Sequence, residues 1–150
     1  MRILSLLPAL LLTACGPKEA APVAPAEAAP PPITVEMPDT SEARAFADNL
    51  VHTAIRDWAP IQGSEVRLTY SSMNFDLDGT WRANGLMKAS FEEFDCQESG
   101  SWHIGEATTE RNATVAWEIG RTTCPTREVG TTQRVELTIA KNGDVAVQFR

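Results

Sequence analysis

The 150-residue sequence is poor in the residues that most often build catalytic and metal sites. It contains two histidines and three cysteines, and neither histidine has a second histidine or a cysteine at the spacing of a metal site. The motifs of serine hydrolases, zinc metalloproteases, P-loop proteins and dinucleotide-binding proteins are absent too. The sequence therefore predicts a protein that is not an enzyme and that holds no cofactor.

Positive charge is scarce, and so is long uninterrupted hydrophobic sequence. The chain carries 13 lysine and arginine residues against 20 aspartate and glutamate residues, which gives a net charge of −7. Nucleic-acid binding needs a basic patch to neutralise phosphates, so no nucleic acid is expected as a partner. The apolar run from Ile3 to Leu12 is about half as long as a membrane-spanning helix. Its length, preceded by Arg2, is typical of a secretory signal peptide.

The apolar run ends at a cysteine, in the order Leu12-Thr13-Ala14-Cys15. This tetrapeptide resembles the lipobox of bacterial lipoproteins, in which small residues precede a cysteine whose thiol accepts a diacylglycerol group. The resemblance implies that residues 1–14 are removed and that Cys15 becomes the acylated first residue of the mature chain. Three acyl chains exceed the two signals that stable membrane anchoring needs. An ordinary secreted protein, in which Cys15 has no such role, is the alternative.

The residue after the cysteine bears on localisation. In many Gram-negative lipoproteins an aspartate at this position marks retention in the inner membrane, and here the residue is Gly16. By this resemblance we expect a protein that is anchored in the outer membrane by its lipid and faces the periplasm. The membrane is then a partner through the anchor alone, because an acidic chain does not bind anionic lipid by charge.

Residues 15–38 have the composition of an extended linker rather than of a folded domain. Six prolines occur between Gly16 and Pro32, and alanine fills most of the other positions. Such a segment cannot bury a core and stays extended, in part as polyproline II helix. At about 3 Å per residue it reaches about 60–70 Å, which holds the following domain away from the membrane. A proline-rich ligand for a recognition domain is the alternative.

Residues 39–150 predict a single globular domain that begins with a helix. The segment 39–41 offers N-cap residues, and Pro60 with Gly63 ends the helical pattern. Between them, apolar residues recur at three- and four-residue steps and form one wide face that is expected to pack on a core. This face consists of Ala43, Ala47, Leu50, Val51, Ala54, Ile55 and Trp58, with Phe46 at its border.

After Gly63 the hydrophobic period changes to two, which predicts antiparallel strands with one buried face. Trp81, Met87 and Phe91 are expected to share such a face. The connections are short, and Asn142-Gly143 is a strong hairpin signal. We therefore expect an α+β domain in which the N-terminal helix packs on a five- or six-stranded antiparallel meander, either cystatin-like or a small barrel.

Two cysteines remain if Cys15 carries lipid. Cys96 is expected between the second and third strands and Cys124 between the fourth and fifth, and alternate connections of a meander lie at the same end of the sheet. The periplasm is oxidising, so an even pair of cysteines favours a disulfide. The sequence predicts a Cys96–Cys124 bond that stabilises the domain by about 3 kcal/mol. Two free thiols are the alternative.

One short segment resembles part of a metal site. Asn74, Asp76 and Asp78, followed by Gly79, match the opening of an EF-hand calcium loop. The resemblance stops there, because the position of the bidentate glutamate is occupied by Gly85 and the surrounding period is that of strands. A hairpin turn that uses aspartate and glycine is the favoured interpretation.

A second acidic segment is a candidate for partner binding. It places four carboxylates close together in sequence, on Glu92, Glu93, Asp95 and Glu98. They can contact a basic partner, or they can form a solvated edge that discourages strand addition. The solvated edge is the favoured interpretation.

The anchor, the linker and the small domain together predict a module that binds or assembles with another component of the bacterial envelope. One alternative is a domain that binds a small ligand, such as a lipid or a cell-wall fragment, between its helix and its sheet. Another is an enzyme whose site includes residues such as Glu93 or His103. The tryptophans that could line a ligand pocket are Trp58, Trp81, Trp102 and Trp117. No family is recognised in residues 39–150.

Overall fold

The computed structural model of the chain describes residues 34–149. The lipidation site predicted at Cys15, the signal peptide and most of the predicted linker lie outside the described residues. Within them, one helix is followed by seven strands. The elements are α1 (Ser41–Val51), β1 (Trp58–Gln62), β2 (Val66–Phe75), β3 (Thr80–Ala89), β4 (Glu92–Thr109), β5 (Asn112–Thr122), β6 (Thr132–Ile139) and β7 (Val145–Phe149).

The seven strands form one antiparallel sheet in which each strand pairs with its neighbours in sequence. The sheet curls strongly. Aromatic rings from its two outermost strands, β1 and β7, contact each other. The ring centroids of Trp58 on β1 and Phe149 on β7 are 5.7 Å apart, and Trp58 also lies 5.5 Å from Trp117 on β5. The prediction of an α+β fold with a helix on an antiparallel meander is confirmed, and the curled sheet is nearly barrel-shaped.

The predicted number of strands, five or six, is wrong, because the segment assigned to the end of the helix forms β1. The helix stops at Val51, and both the backbone N–H and the hydroxyl of Thr53 donate to the Leu50 carbonyl. Asp57 then adopts φ 50°, which redirects the chain into an extended strand. Trp58 faces the core from this strand, as it would have from a helix, so the hydrophobic pattern does not separate the two conformations.

The helix is held by its own sequence at its start and by packing along its length. The Thr40 hydroxyl accepts a hydrogen bond from the Ala43 N–H at 3.1 Å, which is an N-cap, and Glu42 lies in the first turn. The buried face of α1 packs mainly against β4, with smaller contacts to β2 and β5. It consists of Ala43, Phe46, Ala47 and Leu50, each with no exposed surface.

The meander gives the curled sheet two distinct ends. The β2–β3, β4–β5 and β6–β7 turns share one end with α1, whose Asn49 side chain donates to the Glu110 carbonyl at 3.0 Å in the β4–β5 turn. We call it the helix end. The β1–β2 turn, the β3–β4 turn and the longer β5–β6 connection share the opposite end, which we call the loop end.

The residues just before the helix also contact the sheet. Strand β4 is longer than β3 and continues beyond the residues that pair with it. The segment that precedes α1 pairs with this additional part of β4. The Ile104 N–H donates to the Glu36 carbonyl at 2.9 Å, and the Thr34 N–H donates to the Leu77 carbonyl at 2.8 Å. Val35 is buried between them. Part of the segment 15–38, assigned to the linker from sequence, is therefore attached to the domain.

Tryptophan and phenylalanine rings fill the inside of the curl. The three most buried tryptophans have polar partners for their indole N–H groups: Trp81 donates to the Glu118 carbonyl at 3.0 Å, and Trp102 donates to the Asp76 carbonyl at 3.0 Å. Trp117 is bonded in the same way to a side chain described below. Among the described residues, no buried side-chain nitrogen or oxygen lacks a hydrogen-bond partner. These tryptophans are core residues of a well-satisfied interior.

Phe91 departs from its predicted position. It was expected on the buried face with Trp81 and Met87, but it lies at the tip of the β3–β4 turn and is fully exposed. Ser90 adopts φ 55° and donates its N–H to the Glu65 carbonyl at 3.0 Å, so the chain reverses one residue before Phe91. The turn removes Phe91 from the alternating pattern of β3.

Candidate functional site

The predicted disulfide is present and ties the loop end together. Cys96 and Cys124 are bonded, with their Cα atoms 4.9 Å apart, and both are buried. Their positions differ from the prediction in one respect, because Cys96 lies within β4 rather than in a connection. Cys124 lies in the β5–β6 connection, so the bond fastens this connection to the neighbouring strand.

Removing the disulfide is expected to destabilise the domain without unfolding its sheet. The bond closes a loop of 28 residues, and its loss from the Cys96→Ala, Cys124→Ala double variant should lower the free energy of unfolding by about 3 kcal/mol. Urea denaturation of the oxidised protein and the double variant measures this difference. An unchanged midpoint would show that the β5–β6 connection is held by its other contacts.

Next to the disulfide, a carboxylate, a guanidinium and a phenol meet inside the curl. The Glu98 side chain has no exposed surface, and the Arg127 side chain is 7% exposed. Arg127 Nε donates to Glu98 Oε1 at 3.1 Å, and the Tyr70 hydroxyl donates to the other carboxylate oxygen. The Thr122 hydroxyl donates to Glu98 Oε1 at 2.9 Å. Every oxygen of this buried carboxylate therefore has a partner.

The network extends from Arg127 to the aromatic core. Arg127 Nη2 lies 3.5 Å from Gln133 Oε1, and Trp117 Nε1 donates to the same oxygen at 3.2 Å. Burial disfavours the Arg127 charge, but the hydrogen bonds to Glu98 and the attraction to its carboxylate outweigh it and raise the pKa of Arg127. Removing one partner of this ion pair is costly in free energy, because the other partner would then be a buried, unpaired charge.

The same surroundings keep Tyr70 neutral. Burial, then the hydrogen bond to Glu98, then the Glu98 charge raise the pKa of Tyr70 far above its ordinary value of about 10. A group whose folded pKa is raised contributes stability that is complete below the unfolded pKa and is lost above it. The fold should therefore lose stability as the pH rises through 10 and above.

This pH dependence can be measured directly, since Tyr70 is the only tyrosine in the sequence. Between pH 9 and 11 the wild-type protein should lose up to about 1.4 kcal/mol per pH unit more than the Tyr70→Phe variant does. The phenolate absorbance of the folded protein should stay absent over this range. Ionisation of Tyr70 near pH 10 in the folded protein would contradict the assignment.

The structure removes Glu98 from the predicted partner-binding set. Successive side chains of β4 alternate between the inside and the outside of the curl, and Glu98 points inside with Cys96. Glu92, Glu93 and Asp95 are exposed. The period-two pattern contained this information, because Glu98 lies two residues after a cysteine predicted to be bonded. Its partner Arg127 could not be inferred, since it comes from a different connection.

The three exposed carboxylates follow the exposed phenylalanine in sequence, at the loop-end start of β4. We call Phe91, Glu92, Glu93 and Asp95 the acidic tip. Glu93 Oε1 lies 2.5 Å from Lys88 Nζ, which is the basic group paired with the tip. A second exposed apolar residue of the loop end is Val129, 64% exposed in the β5–β6 connection beside an exposed glutamate, Glu128.

The segment that resembles an EF-hand opening forms the β2–β3 turn. Asp76 Oδ2 lies 2.9 Å from Arg82 Nη2. Asp78 Oδ1 accepts hydrogen bonds from the Thr80 N–H at 2.9 Å and the Thr80 hydroxyl at 2.6 Å, and these bonds lower the pKa of Asp78. Asn74 is exposed on β2. The favoured interpretation, a turn that uses its aspartates, accounts for both carboxylates. In the described part of the chain, no three His, Cys, Asp or Glu residues are grouped as metal ligands.

Neither histidine belongs to the buried network or to the acidic tip. His52 is exposed after α1, with Nε2 at 3.9 Å from Asp48 Oδ1. His103 is half-buried on β4, where the backbone bridges to Glu36. The structure does not bring His103 and Glu93 together, since they lie toward opposite ends of the long strand β4.

The domain is thus a curled antiparallel sheet covered by one helix. It carries a buried ion pair inside the curl and the acidic tip at the loop end. No protein-family model, curated protein or solved structure matches the chain. Between residues 34 and 149, no helix is long and apolar enough to cross a membrane.

Proposed function

We propose that the protein is a lipid-anchored component of the bacterial envelope, held on the periplasmic side of the outer membrane through Cys15, and that its domain binds another envelope protein. The anchor rests on the lipobox-like sequence before Cys15. The observation that supports binding is the acidic tip, a fully exposed phenylalanine followed in sequence by three exposed carboxylates.

The backbone that carries the exposed Phe91 ring is held in place by a hydrogen bond to the rest of the domain. Phe91 stands on a two-residue turn whose backbone is bonded to the neighbouring β1–β2 turn, so the exposed ring is carried by ordered structure. Aromatic residues dominate the binding energy of many protein interfaces. The ring therefore serves as the apolar centre of the proposed interface.

The surrounding charge indicates the chemistry of the partner. Glu92, Glu93 and Asp95 are acidic, and Lys88 neutralises one of them. A partner that offers an apolar pocket bordered by lysine or arginine complements this surface. Charge also sets the orientation and the rate of association, which would suit a domain joined to a membrane anchor by the linker that the sequence predicts.

The inside of the domain offers less to a ligand. The space between α1 and the sheet is filled by fully buried side chains, among them Phe46 and Leu50, and three of the four tryptophans are core residues. The proposal therefore assigns binding to the outer surface rather than to the helix–sheet interface.

The test is photocrosslinking in cells of the producing bacterium. A photoreactive amino acid is placed at Phe91 and, as a matched control, at Thr138, an exposed residue on the outer face of β6. We expect one crosslinked envelope protein from position 91, none from position 138, and loss of the product in the Cys15→Ala variant. Equal products from both positions would exclude the tip as the contact, and a product that survives Cys15→Ala would exclude a role for the anchor.

A further inference from the structure

Asparagine followed by glycine occurs twice in the sequence, at Asn84-Gly85 and at Asn142-Gly143. In this dipeptide the backbone nitrogen of the glycine can attack the side-chain amide carbon of the asparagine, because glycine has no side chain to hinder the approach. Attack also needs a rotation about the Cα–C bond of the asparagine, which brings its side chain and the next nitrogen to the same side. The structure around each pair therefore decides whether it can react.

The Asn84-Gly85 pair lies within β3 and is held on both sides by neighbouring strands. Asn84 pairs with Ser72 on β2 and with Gln97 on β4. A Cβ atom added at Gly85 would lie 2.6 Å from the Thr69 carbonyl oxygen, so the backbones of β2 and β3 are closely packed here. The rotation that attack requires would break the ladder of a central strand. This pair is therefore protected as long as the domain is folded.

The Asn142-Gly143 pair lies at the tip of the β6–β7 hairpin. Residues 140–144 are all exposed, and among the described residues a Cβ atom added at Gly143 would meet nothing within 4 Å. The Gly143 N–H donates to the Ala140 carbonyl at 3.0 Å, and the Ala140 N–H donates to the Asp144 carbonyl at 2.8 Å. Such an exposed turn opens locally at a much lower free energy than the centre of a sheet does. The rotation is therefore accessible here without unfolding of the domain.

The side chain of Asn142 is oriented by the residue that follows the glycine. The Asp144 N–H donates to Asn142 Oδ1 at 3.2 Å, and Asn142 Nδ2 donates to Asp144 Oδ2 at 2.6 Å. Addition of a nitrogen to the amide carbon places negative charge on Oδ1, and an N–H donor directed at that oxygen stabilises the charge. The turn therefore presents an amide carbon that is exposed and polarised for attack.

We propose that Asn142 is a site of spontaneous deamidation in the folded protein. The Gly143 nitrogen loses its proton to solvent base and forms a bond to Asn142 Cγ. The Cγ–Nδ2 bond breaks, and Nδ2 takes a proton and leaves as ammonia. Water then adds to either carbonyl carbon of the cyclic imide and opens the ring, which gives aspartate or isoaspartate. The net reaction consumes water, releases ammonia and needs no oxidant and no reductant.

Either product changes the hairpin tip. Both place a new negative charge beside Asp144 and remove the Nδ2 donor that bonds to its carboxylate. Isoaspartate also routes the main chain through the side-chain Cβ, which changes the spacing on which the bonds between Ala140 and Asp144 depend. Among the described strands, β7 pairs with β6 alone. The expected effect is therefore a weaker attachment of β7, with the rest of the sheet intact.

The test is ageing of the full, oxidised protein in mildly alkaline buffer, followed by peptide mass mapping. We expect conversion of amide to acid at Asn142, with both aspartate and isoaspartate formed, at least about tenfold faster than at Asn84. In concentrated urea the two sites should convert at similar rates, because the dipeptides are the same and the structure is lost. Equal rates in the folded protein would overturn the proposal. So would an unconverted Asn142 in folded protein after the sample in urea has reacted.

A control variant connects the reaction to its effect on β7. Asn142→Ser keeps a residue that is common in turns but has no amide to lose. After the same ageing, the wild-type protein should lose hydrogen-exchange protection along β7 and keep it along β5, whereas Asn142→Ser should keep both. Loss of β7 protection in both proteins would contradict the assignment of this change to deamidation.

Discussion

Replacement of Glu98 by alanine is expected to lower the free energy of unfolding by about 3–5 kcal/mol, because it leaves the Arg127 guanidinium buried without its counter-charge. The Glu98 side chain is fully buried and Arg127 is 7% exposed, so water cannot replace the lost partner without opening the loop end. The Tyr70 and Thr122 hydroxyls lose their acceptor as well. Chemical denaturation with circular dichroism measures the change.

Two control variants separate the ion pair from the effect of any charge removal. Glu93→Ala, on the same strand but exposed, should change stability by less than about 0.5 kcal/mol. The double variant Glu98→Leu, Arg127→Met removes both charges, and it should recover most of the stability lost by Glu98→Ala. A Glu98→Ala variant as stable as Glu93→Ala would show that Arg127 finds solvent in the folded protein.

Replacement of Trp117 by alanine is expected to lower the free energy of unfolding by about 3–5 kcal/mol, because it empties the centre of the aromatic core. The Trp117 ring lies 5.5 Å from Trp58, 6.0 Å from Phe75 and 6.3 Å from Trp81, measured between centroids. These rings come from β1, β2 and β3, while Trp117 belongs to β5. One side chain therefore connects opposite walls of the curled sheet.

The comparison variant for this core is Phe149→Ala. Phe149 also contacts Trp58, but it is 56% exposed on the edge strand, so its loss should cost about 1 kcal/mol or less. Thermal and urea denaturation of both variants give the two values. Similar losses of unfolding free energy for the two variants would mean that the contact between the two outermost strands stabilises the curl as much as the central Trp117 ring does.

Local patterns predicted much of the fold because they report local physics. The period of two along β5 and β6 follows from side chains that alternate between the interior and solvent, and Asn142-Gly143 forms the β6–β7 turn with Gly143 at φ 89°. The N-cap at Thr40 is a contact between residues three apart in sequence. Such features depend on contacts between residues that are close in the sequence.

Other features depend on residues that are distant in sequence, and patterns do not reach them. Trp58 satisfies a helical stripe and a strand equally, and its contacts with Tyr70 on β2 and Trp117 on β5 could not be read from either pattern. Glu98 seemed to belong to an acidic surface because its three acidic neighbours do. Its burial is decided by Arg127, which the disulfide between Cys96 and Cys124 brings next to it.

By itself the sequence determined the class of the domain, the cysteine pairing, the N-cap of α1 and the β6–β7 turn, because each follows from periodicity or from a small number of residues. The tertiary structure alone decided the seventh strand, the buried ion pair and the exposed position of Phe91. The seventh strand and the ion pair depend on contacts between residues that are distant in sequence, and the position of Phe91 depends on where the β3–β4 turn falls. Curling is a collective result of packing among the aromatic residues, and no short segment encodes it.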